Sequence, residues 1–195
     1  MQIYYDSFQG YAYDDINDSA SGRQGRWEYR ATYGGSPVRF YLISVGTGLI
    51  SRRVHTGQPG TARVIEHTPP TADYAVTCDY CLFTNLPGLR FGPTIRHQTA
   101  DTYYGVYYQD GELVLFKRVA GVDTTLDTWS SPLAYGSGTT PVVYKLRLEA
   151  NGTAIGAYLN DVLRVSATDS DITDKGRPGL QGRATHPSAY TGIHI

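Results

Sequence analysis

The side chains that could do chemistry are few and widely spaced. Hydrolysis of a glycosidic bond needs two carboxyl groups converging at roughly 5–9.5 Å, yet the chain holds only four glutamates, Glu28, Glu66, Glu112 and Glu149. The five histidines, His55, His67, His97, His186 and His194, accompany no Gly-x-Ser-x-Gly elbow, so each reads as a loop or surface residue. Cys78 and Cys81 mimic a C-x-x-C motif, but the segment 74–81 alternates like a strand. An offset of three then sets the thiols on opposite faces, roughly 10 Å apart, beyond the roughly 7 Å a disulfide spans. No second Cys pair or His-x-x-x-His completes a zinc set, so these are ordinary thiols, with Cys78 the more buried. The runs Asp169-Ser170-Asp171-Ile172-Thr173-Asp174 and Asp14-Asp15-Ile16-Asn17-Asp18 offer oxygen ligands but lack EF-hand spacing. They read as solvated loops, and neither a metal nor a cofactor is expected.

Aromatic recognition is what remains. Sugar rings stack on aromatic faces flanked by planar polar groups. Trp129, within Asp127-Thr128-Trp129-Ser130-Ser131-Pro132, and Tyr135 just beyond are placed in a Gly/Ser/Thr-rich loop, which exposes an aromatic face more readily than a strand centre does. Tyr103 and Tyr107 join them if their strand face is open. The competing role for all four is core or subunit contact, which Trp and Tyr also serve. Trp27 reads as core.

These residues must be positioned by strands. Among 195 residues there are 17 Tyr, 22 Gly and 10 Pro, and charged residues make up only 18%. That composition favours strands and tight turns over disorder or coiled coil. The spacing predicts strands at 2–8, 26–33, 37–44, 61–67, 73–83, 89–97, 102–109, 112–118, 122–128, 142–150, 153–159, 162–167 and 189–195, with a short helical turn near 169–174. Turn signals every 8–12 residues or so mark an all-β sandwich in a single domain, 1–195.

Three hairpins can be read residue by residue. Asp110-Gly111 between two β-rich runs signals a type I′ turn, pairing Gln109 with Glu112 and Tyr108 with Leu113. One face then carries Tyr104, Val106, Tyr108, Leu113 and Leu115; the other carries Tyr103, Tyr107, Val114 and Phe116. Both are apolar, so the hairpin is covered on both sides or keeps one aromatic face for a ligand. Pairing around Asn151-Gly152 gives a core face of Tyr144, Leu146, Leu148, Ile155, Ala157 and Leu159, and a wet face of Lys145, Arg147, Glu149 and Tyr158. The third hairpin turns at Asn160-Asp161, with its register open after Val162.

The series Ala72-Asp73-Tyr74-Ala75-Val76, Tyr103-Tyr104-Gly105-Val106-Tyr107-Tyr108, Gly111-Glu112-Leu113-Val114-Leu115-Phe116-Lys117, Leu146-Arg147-Leu148-Glu149-Ala150-Asn151-Gly152 and Gly176-Arg177-Pro178-Gly179-Leu180 resembles the concanavalin A-like lectin/glucanase jelly rolls. It is similar above all to the versions in tailed-phage structural proteins, which open on a D-x-F strand, here Asp6-Ser7-Phe8. The resemblance implies a two-sheet antiparallel sandwich whose last strand, from Tyr190 to Ile195, lies beside its first. It implies little about activity, because lectins, hydrolases and scaffolds share the fold. Glucanases of this fold carry a Glu-x-Asp-x-x-Glu run; none of the four glutamates here is followed by that pattern, and the chain is not expected to be an enzyme.

Charge and targeting complete the expectation. A formal net charge of −1 argues against nucleic acid as a partner, since phosphate neutralisation needs a basic stripe. No apolar stretch approaches the roughly 18 residues of a membrane span, and the first eight residues lack the pattern of a secretory signal. Arg outnumbers Lys 14 to 3, which suits interface contacts, although a GC-rich source produces the same bias. A lectin-like domain made in a host cytoplasm yet useful outside it is expected of a virion released by lysis. The expected function is a bacteriophage capsid decoration or tail/fibre-associated subunit. It is expected to be homo-oligomeric, bound to other virion proteins, with cell-surface polysaccharide as the ligand of any displayed surface. The alternatives are a stand-alone carbohydrate-binding module and a degenerate glycoside hydrolase.

Overall fold

The computed structural model describes residues 28–31, 39–45, 49–55, 60–65, 68–82, 90–135, 142–184 and 192–194, with side-chain surroundings over 68–79, 90–135 and 142–182. Every regular element among them is a strand: β1 (Glu28–Ala31), β2 (Arg39–Val45), β3 (Leu49–His55), β4 (Gly60–Ile65), β5 (Tyr74–Leu82), β6 (Arg90–Thr99), β7 (Thr102–Gln109), β8 (Glu112–Val119), β9 (Val122–Ser130), β10 (Val142–Asn151), β11 (Ala154–Leu159), β12 (Val162–Thr168), β13 (Arg177–Ala184) and β14 (Gly192–His194). They form two seven-stranded antiparallel sheets. The first runs β1-β4-β13-β6-β7-β8-β9 and the second β12-β11-β10-β5-β14-β3-β2. The all-β sandwich is as expected. The opening strand at 2–8, on which the adjacency of first and last strands depends, lies outside the described residues, as do Trp27, His67, His186 and the acidic run 14–18.

The period-2 pattern builds the core. Tyr104, Val106, Tyr108, Leu113 and Leu115 of the first sheet meet Cys78, Leu146, Leu148, Ile155, Ala157 and Val165 of the second. Burying each large aliphatic side chain contributes about 1.5–3 kcal/mol. The hairpin β7–β8 has the expected register, Gln109 opposite Glu112 and Tyr108 opposite Leu113, and positive φ at Asp110 (51°) and Gly111 (91°) gives its type I′ turn. In β10–β11, Asn151 pairs with Ala154, so the loop is Gly152-Thr153, one residue later than expected. Tertiary contacts select this register: Asp73 accepts the Gly152 N–H at 2.8 Å and Arg96 donates to the Gly152 carbonyl at 2.8 Å. The face assignment survives because the shift preserves parity. Beyond the Asn160-Asp161 turn the register shifts between Ala157 and Tyr158, a bulge that alternation alone does not predict.

Two strands escaped the sequence reading. β3 carries Arg52 and Arg53 at its centre, and β13 contains Pro178, Gly179 and Gly182. Both break the apolar alternation that marks a strand. Conversely, the segment 169–174 is irregular rather than helical.

Arg96 locks one end of the sandwich. It is 1% exposed and adopts φ 51° at a register shift between β6 and β7. Its Nε donates to the Ala72 carbonyl at 3.0 Å, Nη1 to the Ile172 carbonyl at 2.8 Å, and Nη2 to Gly152 at 2.8 Å and to Asp73 Oδ1 at 3.1 Å. The Arg96 N–H donates to the Tyr74 hydroxyl at 2.6 Å, which in turn donates to the Gly176 carbonyl at 3.0 Å. A Cβ at Gly176 would lie 2.4 Å from the Arg96 carbonyl carbon, so only glycine permits this approach. Burial pushes the Tyr74 hydroxyl pKa above its ordinary value.

The acidic run 169–174 is largely exposed, as expected of a solvated loop, but its first carboxylate is tied down. Lys117 Nζ meets Asp169 Oδ2 at 2.5 Å and Asp171 Oδ2 at 2.6 Å, and the Tyr104 hydroxyl donates to Asp169 Oδ1 at 2.5 Å. Burial alone would raise the Asp169 carboxyl pKa, but the hydrogen bonds from Lys117 and Tyr104 hold it below the ordinary carboxylate range. A lysine thus stands where a cation was weighed, and among the described residues no cluster of His, Cys, Asp and Glu suits a metal.

Three outcomes are expected. Arg96→Ala leaves the carbonyls of Ala72, Gly152 and Ile172 without this donor and should cost about 3–5 kcal/mol in urea unfolding, since each buried carbonyl left unpaired costs about 1–3 kcal/mol. Arg118→Ala, at the exposed Asp101 and Asp123 pairs, should cost under about 1 kcal/mol. The Asp169 contribution is present above the carboxyl group's ordinary pKa of 3.8 and is lost as pH falls through its depressed folded value. Asp169→Asn should therefore lower stability at neutral pH and show a smaller further loss at about pH 3 than the native chain.

Candidate functional site on the outer face of the first sheet

The second face of β7–β8, whose aromatic side chains prompted the question of a ligand, points away from the core. Its rings form a continuous series. His97 stacks on Tyr103 at 4.3 Å between centroids, Tyr103 meets Phe116 edge-on at 5.9 Å, and Phe116 meets Tyr107 at 5.3 Å. The Arg90 guanidinium then lies 4.6 Å from the Tyr107 centroid. Cation–aromatic contacts of this kind contribute about 0.5–1 kcal/mol when exposed.

Packing divides this face into a closed centre and an open flank. At the centre, Gly105 pairs with Thr94 and Phe116. A Cβ there would lie 2.6 Å from Phe116 Cε1 and 2.9 Å from Gln181 Nε2, so the missing side chain makes the niche that the Phe116 ring and the Gln181 amide fill. Tyr103 is 2% exposed. Its expected part in a ligand surface is therefore corrected: the stacked His97 and the Phe116 edge close it off, and it supports the face. The His97 ring is held by Nδ1 at 2.9 Å from the Thr99 carbonyl oxygen. Thr94 Oγ1 and Gln181 Nε2 are buried with no hydrogen-bond partner among the described residues.

The open flank holds Tyr107, half-buried, and a row of planar polar side chains. Arg90 Nε donates to Gln109 Oε1, Gln109 Nε2 to Asp110 Oδ2 at 2.7 Å, and Ser130 Oγ to Glu112 Oε1 at 3.1 Å. Register aligns Gln109 with Glu112 and Glu112 with Ser130. Thr128, exposed, is paired with Val114 beside them. Fixed amides, carboxylates and hydroxyls next to an aromatic ring are able to bond hydroxyl groups while the ring meets C–H surfaces. Arg90, Gln109, Glu112 and Ser130 were missed in the sequence, although the Asp-Gly register already set Gln109 and Glu112 side by side.

Trp129 and Tyr135 lie elsewhere. Trp129 belongs to β9 and not to a loop, a second correction: β9 extends to Ser130 because its register with β8 holds as far as Glu112. It pairs with Leu113 on the inward row, packs on the core edge, and has the Arg164 guanidinium 4.5 Å from its centroid. Tyr135 is in the segment 131–135 beyond β9. Tyr108 anchors that segment by donating to the Ser131 carbonyl at 3.0 Å and accepting the Leu133 N–H at 2.9 Å. Burial, reinforced by Tyr108, pushes the Tyr135 hydroxyl pKa up to about 12. The four predicted aromatics thus separate into two pairs on opposite sides of the first sheet.

No protein-family model matches the chain, and no curated protein matches it significantly. Solved structures do. The carbohydrate-binding module CBM66 from Bacillus subtilis is 16% identical with a TM-score of 0.60, covering 88% of this chain and 92% of its own. A Bacillus subtilis protein of unknown function with a galectin-like fold is 12% identical with a TM-score of 0.61, covering 94% of each chain. The exoplasmic/lumenal domain of VIP36, in a Ca2+/Man2-bound form, is 8% identical with a TM-score of 0.57, covering 93% and 82%. The fold is a galectin-like, concanavalin A-like β-sandwich.

The unpartnered hydroxyl at the centre of this face carries a stability consequence. A buried polar group without a partner costs about 1–3 kcal/mol. Thr94→Val should therefore raise the urea midpoint, by an amount equivalent to about 1 kcal/mol. A fall of that size would show that the hydroxyl is satisfied.

Proposed function

We propose that this chain is a carbohydrate-binding sandwich whose ligand lies on the open flank of the first sheet. The carrying observation is the registered row Arg90, Gln109, Glu112 and Ser130 beside the half-exposed Tyr107. Tyr107 and the guanidinium lying against it offer the platform for sugar C–H groups, and the row offers hydroxyl partners. The likeness to a carbohydrate-binding module and to a lumenal domain in a Ca2+/Man2-bound form supports a module reading further than the virion reading. Binding is non-catalytic in this proposal: Glu149 lies on the other sheet, engaged by Arg147 and by the Tyr158 hydroxyl, and so does not converge with Glu112.

A glycan array followed by calorimetry tests the reading. Tyr107→Ala and Gln109→Ala should each weaken binding at least about tenfold, or about 1.4 kcal/mol, while the melting temperature moves by only a few degrees. Trp129→Ala should instead lower stability, by about 3 kcal/mol, and leave binding in place. An array without a hit for the native chain overturns the reading. Loss of binding in Trp129→Ala alone moves the ligand to the β9 edge beside Tyr135.

A narrower proposal keeps the resemblance to tailed-phage proteins: the module is carried on a virion, as a self-associated decoration or tail subunit that meets cell-surface polysaccharide. Mass spectrometry of purified particles tests it.

A further inference from the structure

The turn between β10 and β11 joins a reactive dipeptide to the Arg96 lock. An asparagine followed by glycine is prone to cyclise, because no side chain obstructs the glycine nitrogen as it approaches the asparagine Cγ. Asn151 and Gly152 are both exposed, and a Cβ at Gly152 would meet nothing within 4 Å. Solvent therefore reaches this turn, and bulk does not protect it. Its backbone is instead held at three atoms. The Gly152 N–H donates to Asp73 Oδ1 at 2.8 Å, the Gly152 carbonyl accepts from Arg96 Nη2 at 2.8 Å, and the Thr153 carbonyl accepts the Asp169 N–H at 2.9 Å. Asn151 is the last residue of β10 and pairs with Ala154. Extended backbone, with ψ of about +135°, turns the Asn151 Cβ and the Gly152 nitrogen away from each other. Ring closure needs them on one side of the Cα–C bond. The nucleophilic nitrogen is thus both turned away and engaged with a carboxylate.

We propose that Asn151-Gly152 is a self-modification site gated by this clamp, and that its reaction releases the clamp irreversibly. In the first step Gly152 N bonds to Asn151 Cγ, the Cγ–Nδ2 bond breaks, and Nδ2 leaves as ammonia with the Gly152 amide proton. A solvent water then opens the cyclic imide. Its hydroxyl adds to one of the two carbonyl carbons, that carbon's bond to Gly152 N breaks, and the remaining proton passes to the nitrogen. Attack at Cγ gives aspartate on an unchanged main chain. Attack at the Asn151 carbonyl carbon gives isoaspartate, whose main chain runs through Cβ and Cγ and is one atom longer. A two-residue turn held at three backbone atoms has no slack for that atom, so Gly152 leaves Asp73 and Arg96. The closed sandwich suppresses the reaction, and isoaspartate keeps the turn open. Opening of one turn is a local event that need not involve the whole fold.

The test is peptide mapping of the full chain aged at mildly alkaline pH, with aspartate and isoaspartate at position 151 counted separately. Conversion in concentrated urea, where the clamp is gone, should outpace conversion in the native state at least about a hundredfold. Asp73→Ala should speed the native-state reaction at least about tenfold. Trp129→Ala, which lowers stability from β9, should leave the rate unchanged. A urea series below the unfolding transition needs no variant, and it decides the matter if Asp73→Ala misfolds. A rate nearly independent of urea marks local opening. A rate that rises with the full unfolding slope shows that only global unfolding exposes the site, and overturns the clamp as its gate. Native and urea rates that coincide overturn it too, as does a folded Asp73→Ala with the native rate or a Trp129→Ala with an accelerated one. The refolded isoaspartate chain should melt below the refolded aspartate chain; equal melting overturns the release of the clamp.

Discussion

One buried guanidinium holds the two sheets in register at one end of this sandwich. Arg96 belongs to the first sheet, but its donors reach the start of β5, the β10–β11 turn and the segment 169–176. Each of those is irregular backbone whose carbonyls would otherwise be buried without donors, at roughly 1–3 kcal/mol apiece. A single planar group with five N–H donors is suited to collecting several such carbonyls. The cost is a charge in the interior and a non-glycine residue at φ 51°, a strain of order 1–3 kcal/mol that persists only where its surroundings over-determine it. The surroundings do so here: Tyr74, Asp73 and Gly176 converge on the same residue.

The shift in backbone at Arg96 also serves the outer face. Ile95 enters the core, Arg96 turns to the loops, and His97 emerges against Tyr103. Without the extra residue the alternation would carry His97 inward. The ring series from His97 to Tyr107 would then lose its first member, and Tyr103 the ring stacked against it. The rigidity of the proposed ligand surface is thereby linked to the packing of the opposite side of the sheet.

Strong local patterns were legible in the sequence. Asp110-Gly111 gave the register of β7–β8, and with it the two faces on which the core and the ring series stand. Alternation gave the core face of β10–β11 even where the turn moved by one residue, because parity is kept. What the sequence hid depends on contacts distant along the chain. Arg96 reads as an ordinary strand arginine until residues 23 to 76 positions away meet it. β13 hides behind Pro178 and its glycines, whose small size suits a strand over which Gln181 and Phe116 must fold. The exposure of Tyr103 and the position of Trp129 likewise depend on neighbours that periodicity does not name.

The arginine bias acquires a physical meaning that neither interface preference nor base composition supplied. Arg90, Arg147 and Arg164 each lie against an aromatic ring, and Arg96 satisfies buried carbonyls. Lysine performs neither task well, because it lacks a plane and a fork. The same distinction bears on charge as a guide to partners. A net charge of −1 describes the far field, where acidic turns such as 169–174 cancel distant arginines. A ligand seated within about 8–10 Å of a face, the screening length in physiological salt, responds instead to the charges nearest it, such as Arg90 and Glu112 on the outer face. Recognition is therefore decided by which side of the sheet each charge occupies, and in an antiparallel sandwich that is set by register.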